Sequence, residues 1–220
     1  RTSHHRPFLD LSAPFRPISD INYSAVILLA GKTSTQWCER HPKESAKINV
    51  DKTIQIARFF AKQGSHVLFL SSTQVFEGSR ADYKPSDPVS PKTEYGRQKV
   101  CTEEAILELP TATILRIPKI SHPKNRLLNE WKNDLTQGRP IFPLSNVYLS
   151  VVTIEAVIGS INKILNEKIN GIRHLSGEPE ISYIEYAKSF CRSLGVSTTL
   201  VIPRSISAET VINRHSSLAE

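Results

Sequence analysis

His66-Val-Leu-Phe-Leu-Ser-Ser-Thr-Gln-Val-Phe-Glu-Gly78 decides how this chain folds. Val67 to Leu70 is an unbroken apolar run, too short for a helix and apolar at consecutive positions. That is the pattern of a strand covered on both faces, which belongs to a parallel sheet with helices above and below it. The run stops at Ser71-Ser72, so two hydroxyls stand directly after a buried strand. In open parallel sheets ligands bind at the carboxyl ends of the strands.

The flanking segments repeat the scheme. Ala25-Val-Ile-Leu-Leu-Ala30 is a second apolar run, ending at Gly31. Between the two runs, Ala46, Val50, Ile54, Ala57 and Ala61 recur at helical spacing, and Gly64 stands where a C-terminal cap belongs. A polar, turn-rich stretch from Glu77 to Pro91 leads to a helix over 94–109, and Thr111 to Ile117 is a β-branched strand. This β-α-β-α-β order predicts an α/β fold with a doubly wound parallel sheet. Gly31, Ser71-Ser72 and Pro118 then fall at strand ends along one edge. Beyond Pro118 the spacing predicts helices over 127–138, 154–165 and 184–194 and strands over 147–152 and 171–175, arranged as a smaller lobe.

Tyr95-Gly-Arg-Gln-Lys99 lies on the helix after the turn-rich stretch. Residues four apart share a helix face, so the phenol and the ammonium reach one cleft. A nearby ammonium stabilises a phenolate and is expected to lower the Tyr pKa, which suits proton exchange at a carbonyl or alcohol during hydride transfer. Tyr-x-x-x-Lys alone also recurs on exposed helices. The strand ending in Ser-Ser, then Val-Phe-x-Gly, a Pro-rich loop and Tyr-Gly-x-x-Lys is a far more restrictive combination. A hydroxyl at Ser72 can hydrogen-bond the reacting oxygen and share its charge with the Tyr.

Composition narrows the alternatives. The chain has 220 residues, 39% hydrophobic and 22% charged, which excludes a disordered or membrane-embedded protein. No apolar run approaches the ~20 residues that span a bilayer. The net charge is +7, but it is scattered, and without a Lys/Arg run or zinc-finger spacing no nucleic-acid partner is expected. Cys38, Cys101 and Cys191 form no CxxC pair, as expected for reduced thiols in the cytoplasm. His4-His5 has no accompanying ligands, so no metal is expected. Lys124, Arg126, Lys132 and Arg139 form a loosely basic stretch suited to a diphosphate or to a solvated helix face.

The combined motifs resemble an extended short-chain dehydrogenase/reductase, nearest to the dTDP-4-dehydrorhamnose reductase branch. The resemblance covers almost the whole chain. It implies Ser72, Tyr95 and Lys99 as a catalytic triad, with Lys99 also holding the nicotinamide ribose. Leu9-Asp-Leu-Ser-Ala-Pro14 resembles the adenine-contacting segment, which implies Asp10 and Leu11 as cofactor residues. Leu29-Ala-Gly-Lys-Thr33 resembles the turn that packs on the cofactor, implying Leu29, Ala30 and Gly31, joined by Ser71, Tyr95 and Lys99. Asn49 resembles a helix Asn that supports the site. The implied cofactor is NADP or NAD, and the implied substrate is a nucleotide-activated sugar such as a dTDP-4-keto-sugar, as in polysaccharide biosynthesis. Residues 1–120 correspond to a partial Rossmann-like dinucleotide-binding domain. Residues 121–220 correspond mostly to the substrate-binding lobe, with some segments returning to the main sheet. A homodimer is common in the resembled family.

One part of the family pattern is absent. The nine glycines form no G-x-G-x-x-G, the turn whose backbone approaches a pyrophosphate at a helix N-terminus. Residue 1 aligns just before the family's third strand, so the first β-α-β is expected to be missing, along with the residue that chooses NAD or NADP. An unpaired, apolar sheet edge is the expected consequence. The chain contains no Met and begins at Arg1, which is expected of a fragment or a processed chain. The alternative function is a non-catalytic regulatory or sugar-nucleotide-binding protein on the same fold, like the methionine adenosyltransferase regulatory subunit.

Overall fold

A computed structural model describes residues 11, 13, 15, 22–121, 126–177, 179–205 and 213–219. In chain order the elements are β1 (Ala25–Leu28), α1 (Thr35–Arg40), α2 (Pro42–Ala46), a π-helical turn (Lys47–Lys52), α3 (Thr53–Lys62), β2 (His66–Ser72), a 3-10 turn (Thr73–Val75), α4 (Glu94–Leu107), β3 (Ala112–Ile117), β4 (Lys119–Ile120), α5 (Arg126–Thr136), β5 (Tyr148–Leu149), β6 (Val151–Val152), α6 (Ile154–Glu167), β7 (Gly171–His174), β8 (Ile181–Ser182), α7 (Tyr183–Ser193) and a second 3-10 turn (Thr198–Leu200).

Strand side chains alternate between faces, and the two faces of β2 are both buried. Val67 and Phe69 pack with Ala112 and Ile114 of β3 against Ala57 of α3 and Ile106 of α4. Leu68 packs the other way, with Leu115 and Ile117, against Val157 and Ile164 of α6. Each such side chain contributes about 1.5–3 kcal/mol on burial, so the consecutive apolar residues hold helices to both sides of the sheet. The main sheet runs β1-β2-β3-β7, every pair parallel. This is the doubly wound parallel α/β architecture expected from the sequence. Ser71 stands opposite Arg116 and Ser72 opposite Ile117, which puts the two hydroxyls at the carboxyl end of the sheet.

β1 pairs with β2 on one side only; among the described residues no strand pairs with its other side. Ile27 and the following Leu29 are 39% and 56% exposed there. They border an apolar groove with Leu11, Tyr23, Ile56 and Phe60. An apolar sheet edge was the expectation, and among the described residues β1 lies at that edge.

Three local expectations need correction. The helix read from the spacing of Ala46, Val50, Ile54, Ala57 and Ala61 is not one regular α-helix: α2 passes into the π-helical turn before α3 begins. The widening lets Thr53 Oγ1 reach the carbonyl of Ile48 at 3.0 Å and turns Asn49 inward. The helix α1 has no apolar periodicity and was not expected; Ser34 caps it, its hydroxyl accepting from Trp37 N. The strand read over 147–152 is two short strands in different sheets, β5 paired with β8 and β6 with β4.

The remaining helices form a second core. Trp131 and Leu135 of α5 meet Ala187 and Cys191 of α7, with Ile141 and Val201 closing it. Among the described residues no helix is long and apolar enough to cross a membrane.

Candidate active site at the carboxyl edge of the sheet

Several segments deliver residues to one cavity of about 790 Å³. Leu29, Ala30 and Gly31 come from the end of β1. Ser71, Ser72 and Thr73 come from the end of β2, and Tyr95 and Lys99 from α4. Leu144, Val147, Tyr148, Leu149 and Tyr183 come from the C-terminal half. The expected catalytic residues Ser72, Tyr95 and Lys99 therefore share one space, as do the expected cofactor residues Leu29, Ala30, Gly31 and Ser71. Leu11 borders the adjoining groove along β1 instead. Asp10 lies outside the described residues, as do His4 and His5.

Tyr95 is placed by its neighbour. Thr93 caps α4, its hydroxyl accepting from Gly96 N at 3.1 Å. A Cβ at Gly96 would stand 2.2 Å from the carbonyl oxygen of Gln74 and 2.9 Å from Pro91 Cβ. Only glycine lets the first turn of α4 approach the backbone of the 3-10 turn this closely, and that approach brings Tyr95 to the Ser72 loop.

Lys99 donates to the carbonyl of Leu70 at 2.7 Å. Its ammonium lies 4.1 Å from the Phe69 ring centroid and 5.7 Å from that of Tyr95. Burial lowers the Lys99 pKa to about 8 against a smaller opposing pull from Glu103. Burial raises the Tyr95 pKa to about 12, with a lesser push from Cys38. The sequence reading had Lys99 lowering the Tyr pKa. In the structure burial sets the direction, with no lowering from Lys99, and Tyr95 is a protonated phenol at neutral pH. Ser72 Oγ accepts from Gln74 N at 3.3 Å, so its own hydroxyl hydrogen remains to be donated.

Asn49, inside the π-helical turn, joins the two sides of the cavity. Its Oδ1 accepts from Lys32 N at 2.8 Å, and its Nδ2 donates to Lys32 O at 3.0 Å and to Gln98 Oε1 at 2.8 Å. Gln98 in turn donates to Ser45 Oγ at 2.7 Å and Glu94 Oε1 at 2.9 Å. The loop after β1 and the helix carrying Tyr95 and Lys99 are thereby fixed to each other. A π-helical turn at such a place is a common functional device.

Cys38 is fully buried, with Sγ donating to Lys32 O at 3.4 Å, and burial pushes its thiol up. Cys101 is exposed. Neither thiol lines the cavity. Among the described residues no group of His, Cys, Asp and Glu could hold a metal ion.

Some lining residues escaped the sequence reading. Tyr148, Tyr183, Asn213 and Ser216 come from distant segments with no shared motif. Lys119 had a signal: it follows Pro118, already placed at a strand end. The basic stretch singled out instead does not line the cavity at its described positions. Lys132 is exposed, and Arg139 pairs with Asp134 at 2.6 Å.

The chain matches the family model described as RmlD substrate binding domain over residues 7–216. It is 31% identical over 120 residues to methionine adenosyltransferase 2 subunit beta of Bos taurus, across 54% of this chain and 36% of that protein. It is 30% identical over 199 residues to dTDP-4-dehydrorhamnose reductase of Sinorhizobium fredii, across 83% of this chain and 66% of that enzyme. The matched part thus spans about a third of the first relative and about two thirds of the second. The structure superposes on dTDP-4-dehydrorhamnose reductase from Bacillus anthracis str. Ames in complex with NADP, with a TM-score of 0.83 and 20% identity, covering 90% of this chain and 72% of that one.

Proposed function

The chain belongs to the RmlD substrate-binding-domain family, and from that membership we propose that it acts in an NAD(P)-dependent reductase that works on a nucleotide-activated sugar such as a dTDP-4-keto-sugar. The observation carrying this reading is the single cavity that contains Ser72, Tyr95 and Lys99, with Tyr95 protonated. Ser72 donates its hydroxyl hydrogen to the keto oxygen of the sugar and fixes it. Tyr95 gives its proton to the same oxygen as negative charge develops there. Lys99, anchored on the Leu70 carbonyl, holds positive charge beside the phenol as that proton leaves.

The dinucleotide, when bound, supplies the hydride. The residues suit its nicotinamide end: Leu29, Ala30 and Gly31 border the same cavity as Tyr95, and the buried Ser71 Oγ has no hydrogen-bond partner among the described residues. These 220 residues contain no Gly-rich turn for the pyrophosphate, so this fit concerns the nicotinamide end alone. In this reading residues 1–120 carry the dinucleotide side and residues 121–220 mostly the substrate side, in a cytoplasmic enzyme.

The test is sugar-dependent oxidation of NADPH or NADH by the whole protein and its Tyr95→Phe variant. Loss of about 10²–10⁴ in turnover, with sugar nucleotide still bound, supports the reading. Full turnover by the variant overturns it. Identity to methionine adenosyltransferase 2 subunit beta favours a second reading, a regulatory subunit on the same fold. A wild-type protein with no such oxidation that binds a methionine adenosyltransferase tightly would establish that one.

A further inference from the structure

Among the described residues the cavity walls carry two cations and no carboxylate: the lining includes Lys99 and Lys119 but no Asp or Glu. The two lysines are not equivalent. Lys99 is engaged, donating to Leu70 O and lying beside Tyr95. The Lys119 side chain makes no hydrogen bond or ion pair with the described residues; its Nζ faces the Tyr183 ring, whose centroid lies 5.9 Å away. β4 holds it in place, paired in parallel with β6 and fixed directly after Pro118 at the end of β3.

A half-buried ammonium without a counter-charge is unfavourable in a folded protein, because water is removed and nothing replaces it. Here desolvation does lower the Lys119 pKa. Among the described residues no carboxylate offsets this ammonium, which suits the site to a negative charge brought by a ligand. Lysine is a compact point charge with rotatable donors, suited to a phosphate oxygen rather than to a neutral sugar hydroxyl. We propose that Lys119 is a specificity-determining residue that binds the phosphate oxygens of a nucleoside diphosphate group on the substrate, in the role the sequence had suggested for the basic stretch over 124–139. This rests on the reading of the substrate as a nucleotide-activated sugar.

The test is calorimetric titration of the whole protein, and of its Lys119→Gln and Lys119→Arg variants, with dTDP, inorganic pyrophosphate and thymidine. The expected result is a Kd for dTDP and for pyrophosphate raised about ten- to hundredfold in Lys119→Gln, partly recovered in Lys119→Arg, with thymidine unchanged as the control for an intact cavity. Unchanged dTDP and pyrophosphate binding in Lys119→Gln overturns the inference while leaving the nucleotide-sugar reading in place. Lys119-dependent binding of pyrophosphate, with no gain from a nucleoside and none for thymidine, upholds the phosphate contact and sinks the nucleotide-sugar reading. A wild-type protein that binds none of the three overturns both.

Discussion

Tyr95 and Lys99 leave their ordinary pKa values in opposite directions, and burial drives both. The phenol keeps its proton to about pH 12, while the ammonium loses its own near pH 8. Under the proposed ketone reduction the phenol therefore holds its proton throughout physiological pH, and the group that changes state is Lys99. We expect kcat/KM to fall as pH rises through about 8, with one proton lost. Lys99→Arg should move that limb out of the measurable range, since a guanidinium keeps its proton above pH ~12. A pH-rate profile of both proteins checks this; a limb that persists in the variant would assign it to another group. The positions of these two residues were legible because an i, i+4 pair on a helix can only face one way. Their protonation was not legible, since it depends on how much protein surrounds them. Lys119 was overlooked for a related reason: its place after Pro118 at a strand end is a weak signal, and its surroundings, free of carboxylates among the described residues, emerge only in the fold.

Among the elements, α4 is held by contact of backbone on backbone at Gly96. Alanine favours a helix interior over glycine by about 1 kcal/mol, so propensity alone predicts that Gly96→Ala stabilises the protein. Packing decides otherwise, because the new methyl meets the Gln74 carbonyl, which cannot rotate away. We expect a net loss of about 1–3 kcal/mol in urea unfolding, together with a lower kcat as Tyr95 moves from Ser72. Unchanged stability and turnover would mean that this approach is looser than described. β2 could be read from its sequence because each of its apolar residues is covered by a helix, α3 or α4 on one face and α6 on the other. The π-helical turn could not. Val50 and Ile54 keep the spacing of an ordinary helix, while the reason for the widening, Asn49 reaching Lys32 and Gln98, lies in partners 17 and 49 residues away.

At the scale of the whole molecule, residues 213–219 bind the loop that follows Ser72. Asn213 donates to Phe76 O at 2.8 Å, Asp82 N donates to Ser217 Oγ at 2.8 Å, and Ala219 N donates to Tyr83 O at 2.9 Å. His174 sits at this junction, its Nδ1 against the carbonyl oxygens of Tyr83 and Ala219, its Nε2 buried without a partner among the described residues. Burial lowers its pKa to about 4, helped by the Arg116 guanidinium. An unfolded chain takes up that proton near 6.5, so the neutral ring's contribution is complete above that pH and is lost as pH falls toward 4. We expect urea midpoints to drop over this interval and to drop less in His174→Gln; parallel curves would remove His174 as the cause. Nothing local in the sequence announces this closure, because its partners are 135 to 140 residues apart. That separation bears on how the protein is made. The ribosome emits Ser72 and Tyr95 long before Asn213, so the sheet and α4 can assemble early while the loop beside Ser72 waits for its clasp. A nascent chain halted before that point would carry Ser72 and Tyr95 with the neighbouring loop not yet fastened by Asn213, Ser217 and Ala219.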